Sequence, residues 1–118
     1  MSPRGTTFAR VRRHCLSFEG ASERPSHGAP TFFAGQRAFV MYLDNHHGDG
    51  RRAIWCAAPE GVQAAMVGSE PEGYFVPPYV GHRGWLGVRL DRGLAWDDIA
   101  GAIEDAYTAV TGKGRAAT

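Results

Sequence analysis

The chain has 118 residues, the length of one domain with a single core, able to bury about two-thirds of the surface its unfolded form exposes. Its 43% hydrophobic and 21% charged residues are those of a globular protein. A formal net charge of +1 gives no global pull toward nucleic acid or anionic membranes, so any such partner has to be met by a local patch.

Two cysteines, Cys15 and Cys56, are too few for a disulfide scaffold and lack the Cys-x-x-Cys spacing of a metal or redox motif. No apolar leader opens the chain and no run approaches the roughly 18 apolar residues of a membrane span. A reduced, cytoplasmic protein with no membrane partner is expected.

Residues 1–5 and 112–118 lack periodic apolar positions and read as tails around one domain over 6–111. Phe8, Val11, Cys15 and Phe18 form a helical stripe with Arg10 and Arg13 turned away, Thr6 or Thr7 as N-cap and Gly20 as stop. Thr31 to Ala34 and Arg37 to Leu43 read as strands joined at Gly35-Gln36, because a two-residue turn opening on glycine is a common hairpin connector. A long loop from Asp44 to Arg51, rich in Asn, Asp and Gly, leads to a third strand from Arg52 to Ala58. Pro59 then starts a short helix to about Val67, stopped by Gly68, with Val62, Ala65 and Met66 on its inner face.

Pro77 and Pro78 fix φ and remove donors, so residues 76–79 read as an extended connector. Trp85 to Leu90 alternates as a half-buried strand: Leu86, Val88 and Leu90 take the covered face, Trp85, Gly87 and Arg89 the other. Trp96, Ile99, Ile103, Ala106 and Val110 step by three and four, with Asp97 and Asp98 in a first turn where the helix dipole favours acids. The predicted fold is α+β, an antiparallel sheet of about four to five strands with helices at the N-terminus, in the middle and at the C-terminus.

Several landmarks recur in one known family: Ser26-His27-Gly28-Ala29-Pro30 before the first hairpin, Trp55, Cys56 and Pro59, Pro78-Tyr79, Trp85, and Asp105-Ala106-Tyr107 in the last helix. In these the chain resembles the MmcQ/YjbR family of small bacterial domains, from the first helix to Val110. The resemblance implies a fold close to frataxin-like and secretion-chaperone-like folds, and a DNA-binding role resting on two protruding hairpin wings. The chain departs from it between Tyr79 and Trp85, where many members carry an Asn-Lys pair and Gly81-His82-Arg83 stands instead. A role tied to that lysine does not carry over.

Three constellations bear on function. His46 and His47 beside Asp44, Asn45 and Asp49 are ligand types without ligand spacing, since neighbouring histidines on a strand point to opposite faces; no metal is expected there. His27, Tyr79, His82 and Trp85 either converge at one end of the sheet as a pocket for a small molecule or protein partner, or pack as ordinary core and edge residues. Arg37, Arg51, Arg52, Arg83 and Arg89 either contact DNA phosphates, giving weak salt-dependent binding, or belong to a solvated mixed-charge face. With no nucleophile elbow, metalloprotease motif, P-loop or dinucleotide fingerprint, a non-enzymatic domain without a cofactor is expected.

Overall fold

A computed structural model describes residues 3–112, with side chains from Thr7 onward. Six strands alternate with three helices: α1 (Pro3–Leu16), β1 (Ala21–Ser26), β2 (Ala29–Ala34), β3 (Arg37–Asp44), β4 (Arg52–Cys56), α2 (Val62–Ser69), β5 (Tyr74–Phe75), β6 (Leu86–Arg89) and α3 (Trp96–Thr111). The strands form one sheet in the order β1-β2-β3-β4-β6-β5, antiparallel at every pairing. The α+β architecture read from the sequence is therefore the fold.

Direct cross-strand partners share a face of the sheet. Tyr42, Ile54, Val88 and Tyr74 are successive partners across β3, β4, β6 and β5, and Val40, Cys56 and Leu86 make the next row on the same side. This face carries the helices. Val11 and Cys15 of α1 and Ile99, Ile103 and Ala106 of α3 join its core, and Phe8 of α1 meets Tyr42 with ring centroids 4.7 Å apart. A bulge in β3 opposite Phe32 and Phe33 makes Phe39 the extra residue, and its ring packs edge-on to Tyr107 of α3. Tyr107 also stacks on Phe18, and its hydroxyl donates to the Glu19 carbonyl at 2.7 Å, tying α3 to the end of α1.

The opposite face has a row running from β2 to β5: Thr31, Met41, Trp55, Gly87 and Phe75. Phe75 fits there because Gly87 has no side chain; a Cβ at Gly87 would lie 2.5 Å from the Phe75 ring. None of the described helices covers this row. Two loops do, residues 45–51 and 76–85, and they build the site described below.

Several sequence expectations shift. α1 begins at Pro3, whose fixed φ suits a first helical position, so Thr6 and Thr7 lie inside the helix. The middle helix begins at Val62: the Pro59 carbonyl accepts from the Val62 N–H in a preceding turn, and Gly61 enters the helix at φ 87. Gly68 lies within it, and Ala65 is exposed. The last strand starts at Leu86, with Trp85 buried just ahead of it. Residues 1, 2 and 113–118 of the expected tails lie outside the described residues.

β1 and β5 have no counterpart in the sequence reading. Ala21–Ser26 is a polar edge strand, and Pro25 stands opposite Pro30, a position where neither residue has an N–H to exchange. β5 is two residues long, too short for any period.

Candidate functional site

The loop between β3 and β4 is closed by its own polar groups. The Asn45 side-chain carbonyl accepts from the Gly50 N–H at 2.8 Å, the Asn45 N–H donates to the Arg51 carbonyl at 2.7 Å, and the Asp49 carboxylate accepts from the Arg51 N–H at 2.8 Å. Asn45 and His47 hold left-handed backbone at φ 60 and φ 51. The strand alternation that would send His46 and His47 to opposite faces is thereby broken, and their rings lie side by side with centroids 4.1 Å apart.

The second loop contains a single 3₁₀ turn at Gly81–Arg83, and Tyr79 stands at φ 67 rather than in the extended backbone expected over 76–79. Pro77 is buried, and the Gln63 side chain of α2 holds the loop by donating to the carbonyls of Gly81 at 2.8 Å and Trp85 at 2.7 Å. Tyr79 is thus presented toward the other loop. Its ring centroid lies 6.0 Å from that of His46 and 6.5 Å from that of His47.

Between the loops and the sheet lies a cavity of about 400 Å³. Met41, Leu43 and Trp55 of the sheet form its floor, His46 and His47 one wall, Tyr79 and Val80 the other, and His27 of the β1–β2 turn one end. His46 also borders a second cavity of about 480 Å³ reaching Phe8 and Tyr42. The non-glycine residues with left-handed backbone among the described ones are His27, Asn45, His47 and Tyr79. Three line this cavity, and the fourth precedes His46.

His46 stands edge-on to Trp55, 4.9 Å between centroids. Burial, and then the neighbouring His47, lower its pKa below the ordinary imidazole value, with Asp49 opposing in part. Its Nε2 is out of reach of water and has no hydrogen-bond partner. The lining contains no Lys, Arg, Asp or Glu, and among the described residues no group of three or more His, Cys, Asp and Glu is placed to hold a metal ion.

Of the four residues read as a pocket, His27 and Tyr79 line this cavity. His82 is exposed on the 3₁₀ turn, and Trp85 is buried away from the cavity, with the Arg83 guanidinium 5.5 Å from its ring. Six lining residues escaped that grouping: Met41, Leu43, Val80, His46, His47 and Trp55. The signal for the first and last was present, since Met41 and Trp55 sit in strands whose apolar residues occupy both faces, which marks a sheet covered on each side.

Each of the five arginines meets a group of the fold itself. Arg37 lies at the β2–β3 turn, where its guanidinium donates to the Val110 carbonyl at 3.0 Å, the length of β3 away from Arg51, on the order of 23 Å. Arg51 lays its guanidinium 4.0 Å over the Phe75 ring. Arg52 donates to the Leu90 carbonyl, and Arg89 makes a two-pronged contact with Asp91 at 2.9 and 3.1 Å. Arg83 is exposed.

A protein-family model described as YjbR matches residues 16–109. The chain belongs to the YjbR family. The match spans everything from the last residue of α1 to near the end of α3, so the sheet, both covering loops and the cavity all fall inside the YjbR domain. No curated protein matches the chain. No helix among the described residues is long and apolar enough to cross a membrane.

Proposed function

We propose that this YjbR domain is a non-enzymatic, cytoplasmic binding module whose site is the cavity walled by His27, His46, His47 and Tyr79 over Trp55. One observation carries the reading: among the described residues, the non-glycine ones in left-handed backbone all sit in the segments that wall this cavity. Such conformations cost on the order of 1–3 kcal/mol each and gather at ligand clamps and active sites, where their strain is offset by what they position. The unpaired His46 Nε2 supports the same reading, because a buried polar atom without a partner is stabilised when a ligand supplies one. The test is NMR of the full chain against a fragment library. Hits are expected to shift the Trp55 indole N–H and the rings of His27, His46 and Tyr79; a hit set that leaves these signals still moves the site elsewhere.

A second reading, contact with DNA phosphates, is supported by the exposed Arg83 and Arg13; Arg37, Arg12 and Arg10 are exposed as well, but they meet the Val110 carbonyl, the Glu23 carboxylate and the Trp96 ring. It has less to work with than the sequence suggested, since Arg51, Arg52 and Arg89 are engaged within the fold. Anisotropy of a labelled duplex at two salt concentrations decides it. Micromolar binding that weakens steeply with salt supports phosphate contacts, and no binding at low salt removes them.

A further inference from the structure

We propose that the cavity takes a small planar aromatic monocarboxylate, its ring laid against Trp55 and Tyr79 and its carboxylate met by the imidazoles of His46 and His47. This rests on the reading of the cavity as a ligand site.

The ring half of the inference follows from the walls. Trp55, His46, His47 and Tyr79 present aromatic faces and edges with successive centroids 4.1 to 6.5 Å apart, and Met41 and Leu43 complete an apolar floor. A flat ligand gains stacking and edge contacts there that an aliphatic one does not. At about 400 Å³ the space suits one or two fused rings.

The charge half follows from what the lining lacks. A cationic ligand would find no carboxylate there, and a dianion would find no guanidinium or ammonium. Imidazole is the side chain whose charge switches near neutral pH, so a single negative charge is matched by protonating one ring. The groups facing His46 are His47, Asp49 and Arg51 of its own loop, Asp44 at the end of β3, His27 from the β1–β2 turn and Tyr79 from the 76–85 loop. Asp49 lies 4.0 Å from Arg51 and is partly answered by it. Burial and then His47 disfavour the protonated form of His46, and an arriving carboxylate favours it. Binding takes up a proton. Nε2 is sealed from water, so the walls have to part for the carboxylate to reach it.

The experiment is titration calorimetry of the full chain with three ligands sharing one ring: indole-3-acetate, indole-3-acetamide and tryptamine. It is run at about pH 6 and about pH 8 in buffers of two ionisation enthalpies. Indole-3-acetate is expected to bind about tenfold tighter than the other two at the lower pH, with uptake of up to about one proton and affinity falling by up to about tenfold per pH unit. His46→Gln is expected to abolish the proton uptake while the fold, checked by circular dichroism, is kept; should that variant unfold, His47→Gln carries the same test. Equal binding of the amide, or binding without proton uptake, overturns the carboxylate class and leaves the cavity standing as a site. Failure of all three ligands also overturns the class, and the fragment map described above then decides the cavity itself.

Discussion

The imidazole of His46 meets the indole of Trp55 edge-on, at 76° between the ring planes, and so pins a surface loop to the middle of the sheet. Burial is the main reason its pKa lies below the ordinary value of 6.5, with His47 adding to the effect and Asp49 opposing it. A folded-state pKa below the unfolded one means that the unfolded chain binds more protons as pH falls. The His46 contribution is therefore present above about pH 6.5 and is lost as pH drops through the folded pKa. Replacing His46 with Gln should flatten the pH dependence of urea stability below neutrality. An identical pH profile in wild type and His46→Gln would show that the ring titrates as freely folded as unfolded.

Tyr79 is 69% exposed and holds φ 67, so its ring contributes little packing while its backbone carries strain. Tyr79→Gly removes the ring and relieves the strain, whereas Tyr79→Ala removes the ring and keeps it. The glycine variant should be the more stable of the two by about 1 kcal/mol in urea melts. Both variants should lose the ligand response of Trp55. Equal stability would mean that the backbone at this position is not held left-handed in solution.

The fold was legible where side-chain period and burial agree, and the site only where residues announced themselves by type. The α3 stripe of Ile99, Ile103 and Ala106 stands as read because it buries one regular face, and the β2–β3 hairpin stands because Gly35 takes the left-handed backbone of its turn at φ 59. β1 stayed hidden because an edge strand facing solvent needs no apolar alternation, and its Glu23 and Arg24 read as loop. The pairing of His46 with His47 was invisible for a backbone reason: period-2 reasoning assumes extended residues, and His47 is left-handed. His27 and Tyr79 were found from type and neighbourhood. Trp55 was read as a strand landmark only: apolar residues on both faces of its strand signal a covered sheet, but nothing in a linear pattern says that two loops do the covering.

Gly87 should tolerate no side chain. A Cβ at this position would fall 2.5 to 2.6 Å from three carbons of the Phe75 ring, and the Arg51 guanidinium lies 4.0 Å over that ring. Gly87→Ala must push Phe75 outward, which also disturbs the pairing of β5 with β6. A loss of about 1–3 kcal/mol is expected from urea melts. The double variant Gly87→Ala with Phe75→Ala should lose less than the sum of the two single changes, since removing the ring removes the clash. Simple additivity would place the cost elsewhere.

Cys15 and Cys56 should be inert in the native state. Both are free and buried, and burial pushes the Cys56 thiol up to about 12 and the Cys15 thiol higher still, with Cys56 and Glu23 adding to the latter. Since the thiolate is the reactive form, neither should react with an aromatic disulfide reagent at neutral pH until the chain unfolds. Modification at the rate of global unfolding is the expected outcome, and faster labelling of either thiol would reveal local opening of the helix-bearing face.

Arg89 is engaged within the architecture. Its guanidinium donates twice to Asp91, and the same carboxylate accepts from the Arg52 N–H at 3.3 Å, so one side chain ties the ends of β4 and β6 together. Burial pushes the Asp91 carboxyl up, but the hydrogen bonds from Arg89 and Arg52 and the Arg89 charge outweigh it and hold the carboxyl below its ordinary value of 3.8. That stabilisation is present above about pH 4 and is lost as pH falls through the folded pKa. Arg89→Ala leaves a half-buried carboxylate with its main partner gone, at a cost of about 1–3 kcal/mol near neutral pH. The difference from wild type should narrow in acid, where Asp91 is protonated in both. A variant that matches wild type in stability while losing duplex binding would return Arg89 to the nucleic-acid reading.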